Sequence, residues 1–477
     1  MNSILKQIAV VPLTLAALSA HAAGEAKNMI FFLGDGMGPT TVTATRIYKY
    51  GEAGKLSMET LSRTARIKTF SQDAQTTDSA PSMAAYMTGV KMNNEVIAMS
   101  SATSAYNLSV NPPTPYFSGA NSTCPTSGNG NSVATLLELA KAAGKSVGAV
   151  TTTRITHATP AATYAHLCHR DGENRIAEQV TPGHANYNVA LGGGVDVLLG
   201  GGWRHFVPST TSGSKRTDAT DLTAMFQTAG YTYVNSGAAF NAVDVTTTSK
   251  LVGLFNKDHL NYELDRAKPG SAIDEPSLAD MTEKALKILA KNTAKGYFLM
   301  VEGGRIDHAL HGTNAKRALE DTLAFDEAIK RALSLADANT LIVVTADHDH
   351  TMTFNGYSHK GNPILGLTSD IVPTAVARKA NPAAAAVNAK AADGLPYTTL
   401  VFGNGGNARQ RIDLGAVDTT ADNYNQDVGV QMAGGVGSET HGGGDVMLFA
   451  KGPGNAGFKG TMENVKVFGL AKSALGL

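Results

Sequence analysis

Short runs of apolar residues recur along the chain, each ending in small or polar positions. They fall at 29–33 before "GDGMG", 146–150 before "TTTR", 195–199 before "GGGW", 297–301 before "EGGRIDH", 341–344 before "TADHDH" and 446–449 near the end. Apolar character that is continuous rather than alternating predicts strands buried on both faces, as in a parallel sheet. Helical periods lie between these runs. Over 132–143 Ser132 is placed to cap, Val133, Leu136, Leu137 and Ala140 make a stripe, and Gly144 ends the run. Over 313–336 Ala315, Leu319, Thr322, Phe325, Ile329 and Leu333 recur every three to four residues. Strand alternating with helix predicts an α/β fold, a three-layer α/β/α sandwich around a largely parallel central sheet.

Residues 353–438 break this rhythm. Their Gly-, Pro- and Ala-rich pieces, such as "YSHKGNPILG" and "FGNGGNARQR", have little helical period. They read as an insertion within one large domain over 23–477, serving as a lid, a subunit contact or a surface flap. The first residues differ again. Lys6, the apolar run 8–18 and the small-x-small pattern Ala20-His21-Ala22 predict a cleavable export signal over 1–22. The run is too short to stay as a membrane span, and no later segment is long and apolar enough for one, so no stable membrane anchor is expected.

Composition narrows the partners. Forty Lys+Arg balance forty Asp+Glu, which gives no support for a nucleic-acid or anionic-membrane partner. Export permits a disulfide between the two cysteines, Cys124 and Cys168, the alternative being two separate thiols. Two thiols are too few for a cysteine-based structural zinc site.

Candidate chemistry clusters at the predicted strand ends. Asp35 sits in "LGDGMG", His157 and Thr159 in "RITHATPA", and Glu302, Asp307, His308 and His311 in "VEGGRIDHALH". Asp347, His348, Asp349 and His350 fall in "TADHDH", and His441 in "ETHGGGD". In an open parallel sheet the strand C-termini converge on one edge, so these segments are expected to meet there. Carboxylates with imidazoles suit zinc, and carboxylate with hydroxyl suits magnesium. There are more donors than one ion needs, and Asp307 and His311, four apart, share a helix face. In "TTDSAPS" Asp78 and Ser79 open a helix. Ser79 reads as a cap on local grounds, or as a nucleophile if a cation binds its hydroxyl. Arg170 is the candidate for a bidentate grip on phosphoryl oxygens.

Together "LGDGMG", "TTDSAPS", "HATPAATYAH…R", "VEGGRIDHALH", "TADHDH" and "THGGGD" resemble the motifs of alkaline phosphatases in order and approximate spacing, from about residue 27 onward. His157, His308 and the pieces "YSHKGNPILG" and "YTTLVFGNGGN" resemble the animal-type and marine bacterial branches more than the enterobacterial one. The resemblance implies a phosphomonoesterase active at alkaline pH through a phosphoserine at Ser79. Asp307, His311 and His441 would hold one zinc, and Asp347, His348 and a bridging Asp35 a second. Asp35, Thr159 and Glu302 would hold magnesium, weakly beside His157, and Arg170 would clamp phosphate. Asp78, His157, His308 and His350 are expected around these groups, with the charge of His308 depending on pH. A homodimer with the insertion near the subunit contact is also implied.

Two other readings stay in view. Sulfatases, phosphodiesterases and mutases share the superfamily. A sulfatase needs Cys/Ser-x-Pro-x-Arg, and here Met83 stands where that Arg belongs. Arg170 favours monoesters over diesters. An exported phosphate- or zinc-binding protein without catalysis would have no need of Ser79.

Overall fold

The computed structural model describes residues 26–371, 386–406, 411–432 and 438–477; the export signal expected over 1–22 lies outside them. Ten strands form the central sheet: β1 (Asn28–Gly34), β2 (Arg63–Lys68), β3 (Ser146–Arg154), β4 (Val197–Gly201), β5 (Thr232–Val234), β6 (Leu251–Leu254), β7 (Tyr297–Gly303), β8 (Thr340–Thr345), β9 (Val446–Lys451) and β10 (Gly460–Glu463). Their order across the sheet is β10-β2-β9-β8-β1-β7-β3-β4-β6-β5. The pairings are parallel except those of β9, which runs against both β8 and β2. The fold is therefore α/β around a mostly parallel sheet. The central strands β1, β7 and β8 are buried at every position, as continuous apolar runs require when helices cover both faces.

Helices pack in two groups. One comprises α1 (Pro39–Tyr50), α5 (Leu278–Leu289), α6 (Arg305–His311) and α7 (Ala315–Leu335); the other α2 (Ser79–Thr88), α3 (Leu136–Ala142), α4 (Ala158–Ala161) and α8 (Asn464–Ala474). The helix expected from Ser132 begins later. Thr135 is its cap, and Thr135 and Glu138 form a reciprocal capping box. That pair satisfies two terminal donors, which Ser132 three residues upstream cannot do.

Within 353–438 the described residues form small separate sheets. Met352–Phe354 pairs with Leu400–Gly405, which pairs with Val428–Gln431, and Ser369–Ile371 pairs with Ala386–Asn388.

The direction of β9 corrects one expectation. His441 precedes a strand rather than following one. Because β9 is antiparallel, its N-terminal end lies at the edge where β8, β1, β7 and β3 have their C-terminal ends. His441 thus reaches the common edge from the opposite chain direction.

Candidate metal centre and nucleophile

Four adjacent parallel strands deliver the site. Asp35 follows β1, Glu302 lies near the end of β7 with Asp307 in the helix after it, Asp347 and His348 follow β8, and His157 and Thr159 follow β3. The turn after β1 needs glycine: Gly36 has φ +65°, and a Cβ there would sit 2.4 Å from the His350 ring. Its amide also donates to Asp347 Oδ1 at 3.1 Å.

Ser79 opens α2, whose ten residues are all buried. The Asp78 carboxylate caps the helix by accepting from Ala80 N–H at 2.7 Å. One turn on, Ser82 Oγ donates to the Asp347 carbonyl at 2.7 Å, and Tyr86 donates to the Ala346 carbonyl at 2.9 Å. These two bonds fix the nucleophile's helix to the loop that carries Asp347 and His348.

The donor distances have a common scale. Donors arranged tetrahedrally about 2.1 Å from a zinc ion lie about 3.4 Å apart. Asp307 Oδ1 lies 3.3 Å from His311 Nε2 and 3.6 Å from His441 Nε2, and the two imidazole nitrogens are 3.2 Å apart. A second group joins Asp35, Asp307 and His348; His348 Nε2 lies 3.3 Å from Asp35 Oδ1, and Asp347 Oδ2 is 3.5 Å from the same nitrogen. Ser79 Oγ lies 3.4 Å from Asp35 Oδ1 and 3.3 Å from His348 Nε2. Ser79 Oγ therefore stands within reach of two side chains that come from other segments. Asp347 Oδ2 is buried without a hydrogen-bond partner.

The imidazoles are oriented for the same purpose. Nδ1 of His311 faces the Glu439 carbonyl at 2.5 Å, Nδ1 of His348 the Asp349 carbonyl at 3.2 Å, and Nδ1 of His441 the Thr77 carbonyl at 2.8 Å. A carbonyl can only accept, so Nδ1–H donates to it and Nε2 is turned toward the site. His350 is different. It is close enough to join the first set, yet Nε2 meets Asp307 Oδ1 at 2.8 Å and Nδ1 meets Glu439 Oε2 at 2.5 Å. Burial disfavours its charge, but the bonds to Asp307 and Glu439 outweigh this and push it up to about 10. Both of its nitrogens are engaged by carboxylates, so the ring holds Asp307 in place.

A third set joins Asp35, His157 and Glu302. Thr159 Oγ1 donates to Asp35 Oδ2 at 3.5 Å, and Glu302 Oε2 accepts from Thr153 at 3.1 Å and from Thr151. Glu302 Oε1 and His157 Nδ1 are buried and unpaired. Burial first, then the Asp35 charge, pushes both Asp347 and Glu302 well above the usual carboxylate range. Buried carboxylates that repel one another and leave oxygens unpaired fit divalent cations, which supply the charge the chain lacks.

Arg170 stands beside Ser79's helix. Its NH1 donates to Asp78 Oδ1 at 3.0 Å, and its NH2 lies 3.2 Å from His157 Nε2. Cys168, two residues earlier, is bridged to Cys124 with the Cα atoms 6.0 Å apart. His157, His308 and a third histidine, His259, lie together. Each faces an arginine: Arg170, Arg305 and Arg154 respectively. Burial, with Arg305 adding to it, holds His308 down to about 4, so this ring is neutral at neutral and alkaline pH rather than switching there.

The family model for alkaline phosphatase matches residues 26–477. The chain belongs to the alkaline phosphatase family. The rat (Rattus norvegicus) tissue-nonspecific alkaline phosphatase isozyme is 37% identical over 460 residues, covering 90% of this chain and 79% of that one. The Atlantic cod (Gadus morhua) alkaline phosphatase is 36% identical over 461 residues, covering 90% and 87%. Among solved structures, the Thermus thermophilus alkaline phosphatase superposes with a TM-score of 0.66 at 26% identity, covering 98% of this chain and 96% of that one. The enzyme of the Antarctic bacterium TAB5 gives 0.63 at 22% identity, covering 95% and 99%, and shares the fold. The protein is thus an alkaline phosphatase-family enzyme, and phosphomonoester hydrolysis is the reaction of that family.

Three neighbours of this alkaline phosphatase site were not singled out in the sequence. Glu439 accepts from Thr351 N–H at 2.6 Å and also binds His350; its place two residues before His441 was the available signal. His259 is an isolated histidine in "NKDHLNYE", and Glu95 lies in an unremarkable polar stretch; neither has a local pattern that marks it.

Proposed function

We propose that the protein hydrolyses phosphate monoesters at alkaline pH through a phosphoserine formed on Ser79, at a site holding two zinc ions and one magnesium ion. The observation that carries this reading is Ser79 Oγ standing 3.4 Å from Asp35 Oδ1 and 3.3 Å from His348 Nε2, the nitrogen that also lies 3.5 Å from Asp347 Oδ2. Asp307, His311 and His441 would hold one zinc, Asp35, Asp347 and His348 the other, and Asp35, Thr159 and Glu302 the magnesium. Cations bound there supply Lewis acidity, which makes a hydroxyl or water nucleophilic near neutral pH and offsets phosphoryl charge.

The chain's own residues do the rest. Ser79 Oγ loses its proton to solvent and bonds to phosphorus as the ester oxygen departs. Water then attacks phosphorus from outside, the Oγ–P bond breaks, and phosphate leaves. Arg170 presents a second N–H on each terminal nitrogen beyond those facing Asp78 and His157, enough for two phosphoryl oxygens. Asp78 ties the two parts together, capping α2 and binding Arg170 with one carboxylate. Export across a membrane, with removal of 1–22, and a homodimer joined near 353–438 belong to the same reading.

The test is hydrolysis of an aryl phosphomonoester at alkaline pH. We expect the purified protein to turn over, chelation to abolish turnover and zinc with magnesium to restore it, and Ser79→Ala to lose at least about a thousandfold in kcat/KM. A Ser79→Ala protein that keeps most of its turnover would sink the mechanism.

A further inference from the structure

Glu95 holds both members of the Asp78–Arg170 pair through its backbone. Its N–H donates to the Asp78 carboxylate, and its carbonyl accepts from the main-chain N–H of Arg170 at 2.8 Å. The preceding residue extends the strap: Asn94 Oδ1 accepts from Asp78 N–H at 3.3 Å, and Asn94 N–H donates to Asp73 at 2.9 Å. To make these bonds Glu95 adopts φ +72°. That region suits glycine, and a side chain is strained there. Glycine would make the same two backbone bonds at less cost, so the backbone role does not account for a carboxylate at this position.

The carboxylate adds negative charge to a guanidinium that is already matched. Arg170 has Asp78 at 3.0 Å and Asp171 next in sequence. Burial works against the Arg170 charge, but Asp78, Glu95, Asp171 and Asp35 outweigh it and raise its pKa. Around Glu95 the facing groups are Asp78, Arg170, Asp171, Asp73 and Tyr106. Burial, then Asp78, pushes the Glu95 carboxyl up to about 7, against the pull of Arg170. At pH 9 it is ionised.

We propose that Glu95 sets how weakly the phosphoryl dianion is held: its carboxylate repels the anion bound at Arg170 and so favours release of phosphate. This rests on the reading of Arg170 as the phosphate clamp. The repulsion bears on substrate and product dianions alike, so KM for a monoester and Ki for phosphate should move together.

The measurement is the Ki of inorganic phosphate and the KM of an aryl phosphomonoester at pH 9 and low salt, in the metal-loaded enzyme. It compares wild type with Glu95→Gln, which keeps the strained backbone, and Glu95→Gly, which relieves it. Both neutral variants should bind phosphate about fivefold more tightly, with KM falling in parallel and kcat not rising. An unchanged Ki in both variants overturns the proposal. So does a gain confined to Glu95→Gly, which would assign the effect to backbone strain. A wild type that neither hydrolyses the ester nor is inhibited by phosphate removes the phosphatase reading itself; normal wild-type inhibition with unaltered variants removes only the role of Glu95.

Discussion

Each histidine of the two zinc-type donor sets turns Nδ1 to a main-chain carbonyl and Nε2 to the site. Three independent backbone positions thereby orient the rings with Nε2 toward the site. Glu439 extends this arrangement outward by fixing His350, which in turn fixes Asp307. A buried carboxylate away from any such partner behaves differently. Asp321 on α7 accepts only long 3.4 Å contacts from Glu263 N–H, and burial pushes it from the ordinary 3.8 to about 8 despite Arg305 nearby. The folded state therefore prefers its protonated form. The stability this gives is full below the unfolded pKa and is lost as pH rises toward the folded one, levelling above about 8. We expect Asp321→Asn, which cannot ionise, to gain thermal midpoint over wild type as pH rises from 6.5 through about 8, and to level off by pH 10. Melting curves at fixed saturating zinc and magnesium check it; a difference constant across that range would contradict the account.

At the scale of elements, the strands were legible because burial on both faces writes a continuous apolar run. β1, β7 and β8 follow from 29–33, 297–301 and 341–344 within one or two residues. β2 was not legible: "RTARIK" alternates exposed and buried residues and carries three charges, so no apolar run marks it. It pairs with β9 and β10 near one end of the sheet, where that pattern is stable. The direction of β9 was also hidden, since an apolar run reads the same either way along a sheet. The site's donors were legible as residue types at strand ends, because parallel neighbours must bring those ends together. What could not be read were the contacts made by lone residues across long separations. Ser82 reaches the Asp347 carbonyl 265 residues away, and Glu439 reaches His350 across 89. Neither has a local period or motif to announce it.

For the whole molecule, the insertion presents apolar side chains that a monomer would leave in water. Tyr357 is 88% exposed and Val430 61%, with Phe354 also exposed on the same small sheet as Val430. Exposed aromatic and aliphatic groups of this kind suit a contact with a second copy. Among the described residues no helix is long and apolar enough to cross a membrane. The Cys124–Cys168 bridge agrees with an oxidising compartment, as an exported protein would meet. One native mass measurement on the full chain, expressed in a host that exports proteins, addresses both points. It should give a subunit lacking 1–22 with one disulfide, and an assembly of twice that mass; a monomer, or a subunit that keeps 1–22, would contradict this part of the account.

The central claim is that Ser79 carries the phosphoryl group between its two owners, and the most direct measurement looks for it there. The metal-loaded enzyme is mixed with an aryl phosphomonoester, quenched in acid within the first turnovers, digested and examined by mass spectrometry. The account predicts a phosphate group on the peptide containing Ser79, absent from the Ser79→Ala protein. Rapid turnover with no phosphate on that peptide, or with phosphate on another residue, would contradict it.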